Sequence, residues 1–160
     1  QILFYLNDKA LVKDPVTFYH DLNPRVGLLK LIPSMDATVL DYMAEHYDAV
    51  IIESFGVGGL PSYDTCGYYP VVEKWIGLGK TVVMTTQVTN EGSNMSIYEV
   101  GRNIKNEFGL LESYDMTLEA TVTKLMWILG QTRDRKEVRR LFYRTVNRDI
   151  LWKVSGGGEV

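Results

Sequence analysis

Three glycines near the middle of the chain directly follow an uninterrupted apolar run. The run is Val50-Ile51-Ile52, and the glycines are Gly56, Gly58 and Gly59. An apolar run without alternation is typical of a strand that is covered on both faces of a parallel sheet. Glycines at the carboxyl end of such a strand allow positive φ and let backbone groups approach a ligand. The alternative, that they only reverse the chain in a βα turn, stays open.

Two nucleotide-binding patterns are excluded by spacing. The central glycines form Gly-x-Gly-Gly rather than Gly-x-Gly-x-x-Gly, and no acidic residue follows at the distance that a dinucleotide site requires. Gly79-Lys80-Thr81 resembles part of a phosphate-binding loop, but it begins a predicted strand, and the fifth residue before Gly79 is Lys74 instead of glycine.

Composition limits the classes of partner and of metal site. The 160 residues, 46% of them apolar, suffice for a single domain over 1–160, and the net charge of -3 argues against a nucleic-acid partner. The basic cluster from Arg133 to Arg148 is predicted to be a solvated helix face. His20 and His46 have no ligand-spaced neighbours, so no metal site is predicted.

Two features of the sequence indicate where the protein is located: its lone cysteine and its lack of a long apolar run. Cys66 cannot form an internal disulfide, which fits a reducing, cytoplasmic location. No apolar run approaches the length of a membrane span, so no membrane partner is expected. The chain begins at Gln1 within an apparent strand and without an initiator Met, and we expect it to be a fragment of a longer protein.

Strand and helix patterns alternate along the chain. The predicted strands are Val26–Ile32, the central run, and Thr81–Gln87, and a helix capped by Ser34 or Asp36 and another at about Cys66–Leu78 lie between them. This order predicts an α/β fold with three α/β/α layers and a small parallel sheet. Further predictions are a hairpin or irregular entry over 2–6 and 10–13, helices at 98–108, after Asp115–Glu119 and after Asp134, and a flexible tail at 155–158.

Five sequence blocks, in this order, carry a family resemblance: 28–33, 49–61 with its Phe-Gly-Val-Gly-Gly-Leu-Pro core, 86–87, 98–101 and 115–127. Together they resemble the C-terminal domain of bacterial-type L-asparaginases, in the cytoplasmic type I branch. The resemblance implies hydrolysis of L-asparagine to L-aspartate and ammonia through an acyl intermediate on a threonine, with no metal or organic cofactor. It places that threonine and its partners in an N-terminal catalytic domain that this chain lacks. Thr85, Thr86 and Thr89 do not have the family's glycine-rich surroundings, so no catalytic residue is assigned here and the domain alone should be inactive.

The resemblance also implies a role at a subunit boundary. In the family this domain completes the neighbouring subunit's active site within a homodimer or tetramer. Gly58 and Gly59 match a loop that carries asparagine in many members at the position of Gly59, so only backbone contacts to substrate are expected here. Glu99 aligns with a glutamate that meets the substrate ammonium group, although a solvated Glu at a helix start is the alternative. An allosteric asparagine site of some members would correspond to the loop from Gln87 to Asn94.

Two other functions stay open. The related amidohydrolase subunit of a tRNA-dependent glutamyl amidotransferase uses the same fold to release ammonia from glutamine, and an RNA partner would then be expected. A non-catalytic module that binds or senses an amino acid is the second alternative, because Gly59 departs from the family pattern.

Overall fold

The computed structural model describes residues 15–61, 67–97, 99–146 and 148–151. The predictions for 2–6, 10–13 and 155–158 lie outside these ranges, as does Cys66. In the described part, strands and helices alternate before two final helices. The elements are β1 (Val26–Lys30), α1 (Thr38–His46), β2 (Ala49–Ser54), α2 (Tyr68–Gly77), β3 (Thr81–Thr86), α3 (Glu99–Phe108), β4 (Leu111–Glu112), α4 (Leu118–Gln131) and α5 (Arg135–Tyr143).

The strands form one parallel sheet in the order β1-β2-β3-β4. Ala49 is in register with Val26 on one side and with Thr81 on the other, and Val83 is in register with Leu111. Each strand therefore pairs with the next strand along the chain, through a connection that contains a helix. This is the connectivity that the alternating pattern predicts.

Alternate residues of the central strands enter two separate cores. Val50 and Ile52 pack with α1 and α2, whereas Ala49 and Ile51 pack with α4 and α5 on the opposite face. Because both faces of the sheet are covered, the strand sequence shows no polar alternation. The predicted three-layer α/β/α fold with a small parallel sheet is confirmed.

Local signals set most helix starts. The Asp134 carboxylate accepts a hydrogen bond from Glu137 N at 2.9 Å, and the Thr117 hydroxyl accepts one from Ala120 N at 3.2 Å. Both are caps that satisfy amide groups in the first helical turn. At α1 the predicted cap Asp36 accepts a hydrogen bond from Thr38 N at 2.7 Å, although Ala37, which directly precedes the helix, makes no side-chain bond.

Three details differ from the sequence predictions. β1 ends at Lys30, before Ile32, because the next carbonyl, that of Leu31, accepts a side-chain hydrogen bond from Gln87 at 2.6 Å. β4 has only two residues and was not predicted. The basic cluster that was predicted as a helix face up to Arg148 extends beyond the helix, since α5 ends at Tyr143 and Val146 after it is exposed.

Candidate functional site at the carboxyl edge of the sheet

The loops that follow the strands meet at one edge of the sheet, because all the strands run in the same direction. The glycine loop, defined as residues 55–61, follows β2. The polar loop, residues 87–97, follows β3, and a short connection, 113–117, joins β4 to α4. Open α/β sheets bind ligands outside this edge, so these segments form the candidate site.

Hydroxyl groups from two strand ends hold the glycine loop in place. Ser54 Oγ donates to the carbonyl of Gly59, and Thr86 Oγ1 donates to the carbonyl of Gly56. These contacts fix backbone groups of the loop against both β2 and β3. The glycine loop is therefore an ordered part of the sheet edge. A simple chain reversal would not need these two side-chain hydrogen bonds.

Gly58 and Gly59 have backbone angles that favour glycine, with φ of 105° and 132°. A Cβ at Gly58 would lie 3.3 Å from Met95 Cγ, whereas one at Gly59 would meet no other atom within 4 Å. The space beside Gly59 is therefore open, and what prevents a side chain there is backbone strain.

Gln87 ties the ends of three strands together. Its side-chain Nε2 donates to the carbonyl of Leu31 at 2.6 Å and to that of Glu53 at 3.1 Å. Its backbone N–H donates to the carbonyl of Ser54 at 2.9 Å. Both side-chain donors of Gln87 therefore serve the fold in this structure.

Asn94 joins the two longer loops. Its backbone N–H donates to the carbonyl of Val57 at 2.6 Å, and its Oδ1 accepts from the backbone N–H of Ser96 at 3.2 Å. The structure thus brings the two ends of the predicted allosteric stretch to the same edge as Gly58 and Gly59.

A cleft of about 420 Å³ opens between the polar loop and the connection after β4. Within the described ranges three carboxylates line it, and no lysine or arginine does: Glu53, Asp115 and Glu119. Glu53 also pairs with Lys30, with Nζ and Oε2 separated by 3.2 Å. The local excess of negative charge suits a ligand with an ammonium group. Sequence analysis missed these carboxylates: Glu53 lies within β2, Asp115 follows β4, and Glu119 lies in the first turn of α4.

A buried carboxylate beneath the cleft connects the polar loop, α3 and β4. Glu112 is fully buried; its Oε1 accepts from Met95 N at 2.7 Å, and its Oε2 pairs with Lys105. Lys105 Nζ also donates to the hydroxyl of Tyr114 at 2.7 Å. The backbone N–H of Glu112 donates to the hydroxyl of Tyr143 at 3.0 Å, which adds α5 to the network.

This network changes the acidity of two of its members. Burial acts to lower the pKa of Lys105, but its hydrogen bonds to Glu112 and Tyr114 outweigh burial, and the pKa lies above its ordinary value. Burial also raises the pKa of the Tyr143 hydroxyl, against the hydrogen bond from Glu112 N–H. Lys105 is thus held as a cation, and Tyr143 is held neutral.

The sequence of the domain, from β1 into α5, matches a known domain family. Residues 25–142 match the family described as the Glutaminase/Asparaginase C-terminal domain. The chain belongs to this family. The domain resemblance given from the sequence blocks is therefore confirmed, and the match includes every element from β1 to the buried part of α5.

Relatives of this asparaginase C-terminal domain carry two different names. The chain is 40% identical over 133 residues to an L-asparaginase of Thermococcus kodakarensis, a match that covers 83% of the chain and 40% of that protein. It is 31% identical over 121 residues to a subunit of the glutamyl-tRNA(Gln) amidotransferase of Pyrococcus furiosus, covering 75% of the chain and 26% of that protein. The chain thus spans well under half the length of these relatives.

Solved structures agree with the family. The thermostable L-asparaginase from Thermococcus kodakarensis superimposes with a TM-score of 0.77 at 39% identity, over 83% of this chain and 40% of that one. L-asparaginase I from Vibrio cholerae gives a TM-score of 0.71 at 25% identity, over 82% and 39% of the two chains.

Glu99 and the threonines occupy defined places in this asparaginase C-terminal domain. Glu99 is the first residue of α3, and its side chain lies outside what the structure describes. Thr85 is buried, Thr86 is bonded to the glycine loop, and Thr89 is exposed. The structure does not gather these threonines around a general base, and none is assigned as a nucleophile.

Metal-binding clusters and membrane-spanning helices are both absent from the described ranges. No group of three His, Cys, Asp or Glu side chains there is arranged to hold a metal ion. Over the same residues, the helices are too short or too polar to cross a bilayer. His20 and His46 are both exposed, and the structure does not bring them together with other ligating groups.

Proposed function

We propose that this chain is the C-terminal domain of an L-asparaginase, working in the cytoplasm, that hydrolyses L-asparagine to L-aspartate and ammonia. The 40% identity to the Thermococcus kodakarensis enzyme supports this proposal most directly. The chemical step belongs to an N-terminal domain that supplies the nucleophile, while this domain contributes substrate contacts and needs no metal or organic cofactor. The isolated chain is expected to be inactive.

The substrate contacts belong to the carboxyl edge. Glu99 supplies a carboxylate for the α-ammonium group of L-asparagine in the neighbouring subunit, and Gly58 and Gly59 supply backbone groups. The negative charge of the adjacent cleft supports recognition of an ammonium group. Gln87 and Asn94 mark the ends of the loop that would sense a second asparagine molecule.

A homodimer or tetramer follows from this arrangement, because the site is then built from two subunits. Exposed apolar side chains along the open β1 side of the domain support such an association; they include Leu28, Val39 and Tyr42, which are 45%, 46% and 63% exposed. Analytical ultracentrifugation of the complete enzyme measures its oligomeric state. A monomer that remains active would contradict the cross-subunit role of Glu99.

A fusion enzyme tests the catalytic proposal. Joining this chain to the N-terminal domain of the Thermococcus kodakarensis L-asparaginase should produce ammonia from L-asparagine, whereas the chain alone should not. Glu99→Ala in the fusion should lower kcat/KM by roughly a hundredfold, the loss expected for one charged substrate contact. Glu107→Ala, an exposed position at the other end of α3, is the matched control. A folded fusion without activity would overturn the proposal.

The amidotransferase function is the second candidate, since several relatives are named as parts of a glutamyl-tRNA(Gln) amidotransferase. In that case the complete protein should bind tRNA and release ammonia from glutamine. A filter-binding assay with tRNA, beside ammonia release from both amides, separates the two enzymes. A non-catalytic amino-acid-binding module is the third candidate, and calorimetric binding of L-asparagine by the isolated chain would favour it.

A further inference from the structure

A second cavity lies at the opposite, amino edge of the sheet. It has a volume of about 410 Å³ and is bounded by the start of β3, the end of α3 and the first turns of α5. β4 is in register with β3 only from Val83 onward, so Thr81 and Val82 have no partner in β4. The shortness of β4 leaves this space open between the two helical layers. Its volume is in the range of small-molecule sites.

The cavity is strongly cationic. Among the residues that the structure describes, its wall contains five basic side chains and no carboxylate: Lys80, Lys105, Arg135, Lys136 and Arg139. Lys105 is neutralised by Glu112, and Lys80 Nζ donates to the carbonyl of Tyr47 at 2.7 Å. Among the residues that the structure describes, the three cations from α5 have no carboxylate within ion-pair distance. Like charges that converge without counter-charge repel one another.

The position of these cations on α5 increases that repulsion. Arg135 and Lys136 occupy the first turn, where the helix dipole is positive and acidic residues are the stabilising choice. The acid at this helix start, Asp134, already caps Glu137 N at 2.9 Å. An anion in the cavity would be attracted both by the side chains and by the helix N-terminus.

Two of the guanidinium groups are held at the cavity by other contacts. Arg135 Nη2 donates to the carbonyl of Phe108 at 3.2 Å, and Arg139 lies 5.1 Å from the ring centre of Tyr143. Groups held in this way lose less conformational freedom on binding than free surface arginines would. Guanidinium groups bind oxyanions through two parallel hydrogen bonds, and a nearby lysine adds a point charge.

We propose that this cavity binds a small multivalent oxyanion, such as the phosphate or pyrophosphate group of a metabolite. Val82 lines this cavity and Thr85 lines the acidic cleft, three residues or about 10 Å further along β3, so the two are separate sites at opposite ends of the strand. A nucleic-acid backbone fits less well, because the chain carries a net charge of -3 and the cations converge on a concavity. The site is independent of the enzymatic function proposed above.

Isothermal titration of the 160-residue chain with pyrophosphate and with inorganic phosphate, at low ionic strength, tests the proposal. The double change Lys136→Gln with Arg139→Gln should weaken pyrophosphate binding roughly a hundredfold, and Lys136→Gln alone roughly tenfold, as charge-assisted contacts are removed. Arg102→Gln removes the same charge from an exposed position on α3 outside the cavity and should change affinity less than about twofold. Circular dichroism confirms that each variant is folded.

Amide chemical-shift mapping then locates the bound anion. Shifts concentrated at Thr81, Gly109 and Lys136 support the cavity, whereas shifts spread over the whole surface overturn it. An equal loss of affinity in the Arg102 variant, or no binding by the unchanged chain, also overturns it. Binding of a short RNA duplex without any binding of pyrophosphate would overturn it too, by assigning the cations to an extended phosphate backbone.

Discussion

At the carboxyl edge of the sheet, carboxylates line the cleft and the loops are held by hydrogen bonds between side chains and backbone. At the amino edge, cations line a cavity that is bounded by helix ends and by the start of a strand. The two regions flank the same strand, β3. The fold therefore separates positive and negative charge along this strand, and each end favours ligands of the opposite sign.

The two edges also differ in how many contacts hold their ligand-facing groups in place. Gln87 holds the carbonyls of Leu31 and Glu53, and Ser54 holds that of Gly59, so the ends of β1 and β2 and the glycine loop are held before any ligand arrives. At the amino edge Lys136 is exposed and makes no ion pair among the described residues. At the amino edge, therefore, Arg135 and Arg139 are held by contacts to Phe108 and Tyr143, while Lys136 can adjust its position to a bound anion.

Among changes near the carboxyl edge, removing the charge of Glu112 should cause the largest loss of stability. Glu112→Gln leaves the partly buried Lys105 ammonium without its counter-ion and should lower the free energy of unfolding by about 3 to 5 kcal/mol. Urea unfolding measures this loss. Glu73→Gln, on the exposed face of α2, should change it by less than about 0.5 kcal/mol. If both variants lost the same small amount of stability, the ion pair between Glu112 and Lys105 would not be needed to stabilise the fold.

A second test places a methyl group in the polar loop. A Cβ at Gly92 would lie 2.6 Å from the backbone oxygen of Tyr114, and φ there is 70°. Gly92→Ala should therefore destabilise the domain by about 2 to 4 kcal/mol, through contact and backbone strain. Gly77→Ala at the end of α2 meets nothing within 4 Å and should be neutral or stabilising by up to about 1 kcal/mol. Thermal or urea unfolding that gives the reverse order would show that the polar loop is loosely held.

A third test uses pH. Because burial raises the folded-state pKa of Tyr143 above its ordinary value of 10.0, the unfolded chain loses this proton first as pH rises. The free energy of unfolding therefore falls above about pH 10, and Tyr143→Phe should make this fall shallower by up to about 1.4 kcal/mol per pH unit. At neutral pH the same change should cost about 1 kcal/mol, since the N–H of Glu112 loses its acceptor.

The matched control for this pH test is Tyr42→Phe, at an exposed tyrosine on α1. Its stability should follow that of the unchanged chain from about pH 7 to about pH 11, as measured by urea unfolding. An identical alkaline profile in the Tyr143 variant would contradict the buried, neutral state of that hydroxyl.

The smallest expected effect concerns the amino edge. Lys136→Gln removes a cation from the first turn of α5 and should raise the free energy of unfolding by about 0.3 to 1 kcal/mol in phosphate-free buffer. Arg140→Gln on the same helix breaks the exposed ion pair with Glu137, whose Nη2–Oε1 distance is 2.6 Å, and should lower the free energy of unfolding slightly, which is the opposite sign. Precise urea titrations can resolve the two signs. A loss of stability in both variants would argue against charge repulsion at the amino edge.

Much of the fold could be predicted because the sequence contains strong local signals. Val50, Ile51 and Ile52 form a β-branched run, which indicates a strand buried on both faces. Asp134 and Glu137 mark the start of α5 through a bond between neighbouring residues, and the structure contains that bond. β4 could not be predicted, because two residues are too few to show a period.

Less of the candidate site could be predicted, because its parts are distant along the chain. Gly58 and Gly59 were placed at the correct edge, since the glycines directly follow β2. The pairing of Lys105 with Glu112 and the entry of Asp115 into the cleft depend on how α3 and β4 pack, which no local pattern reveals. The basic residues of α5 are exposed, as predicted, but the cavity that three of them line forms only when β3 and α3 are beside them, and no local pattern reveals it.

The two-residue length of β4 has a consequence for the motions of the domain. β2 and β3 are in register over six residue pairs, whereas β3 and β4 share two, Val83 with Leu111 and Met84 with Glu112. Amide hydrogens held by so short a ladder should exchange with deuterated solvent through local opening, well before those of the central strands. The acidic cleft and the cationic cavity both lie beside β4. A brief local opening of this short strand would therefore alter both sites at the same time.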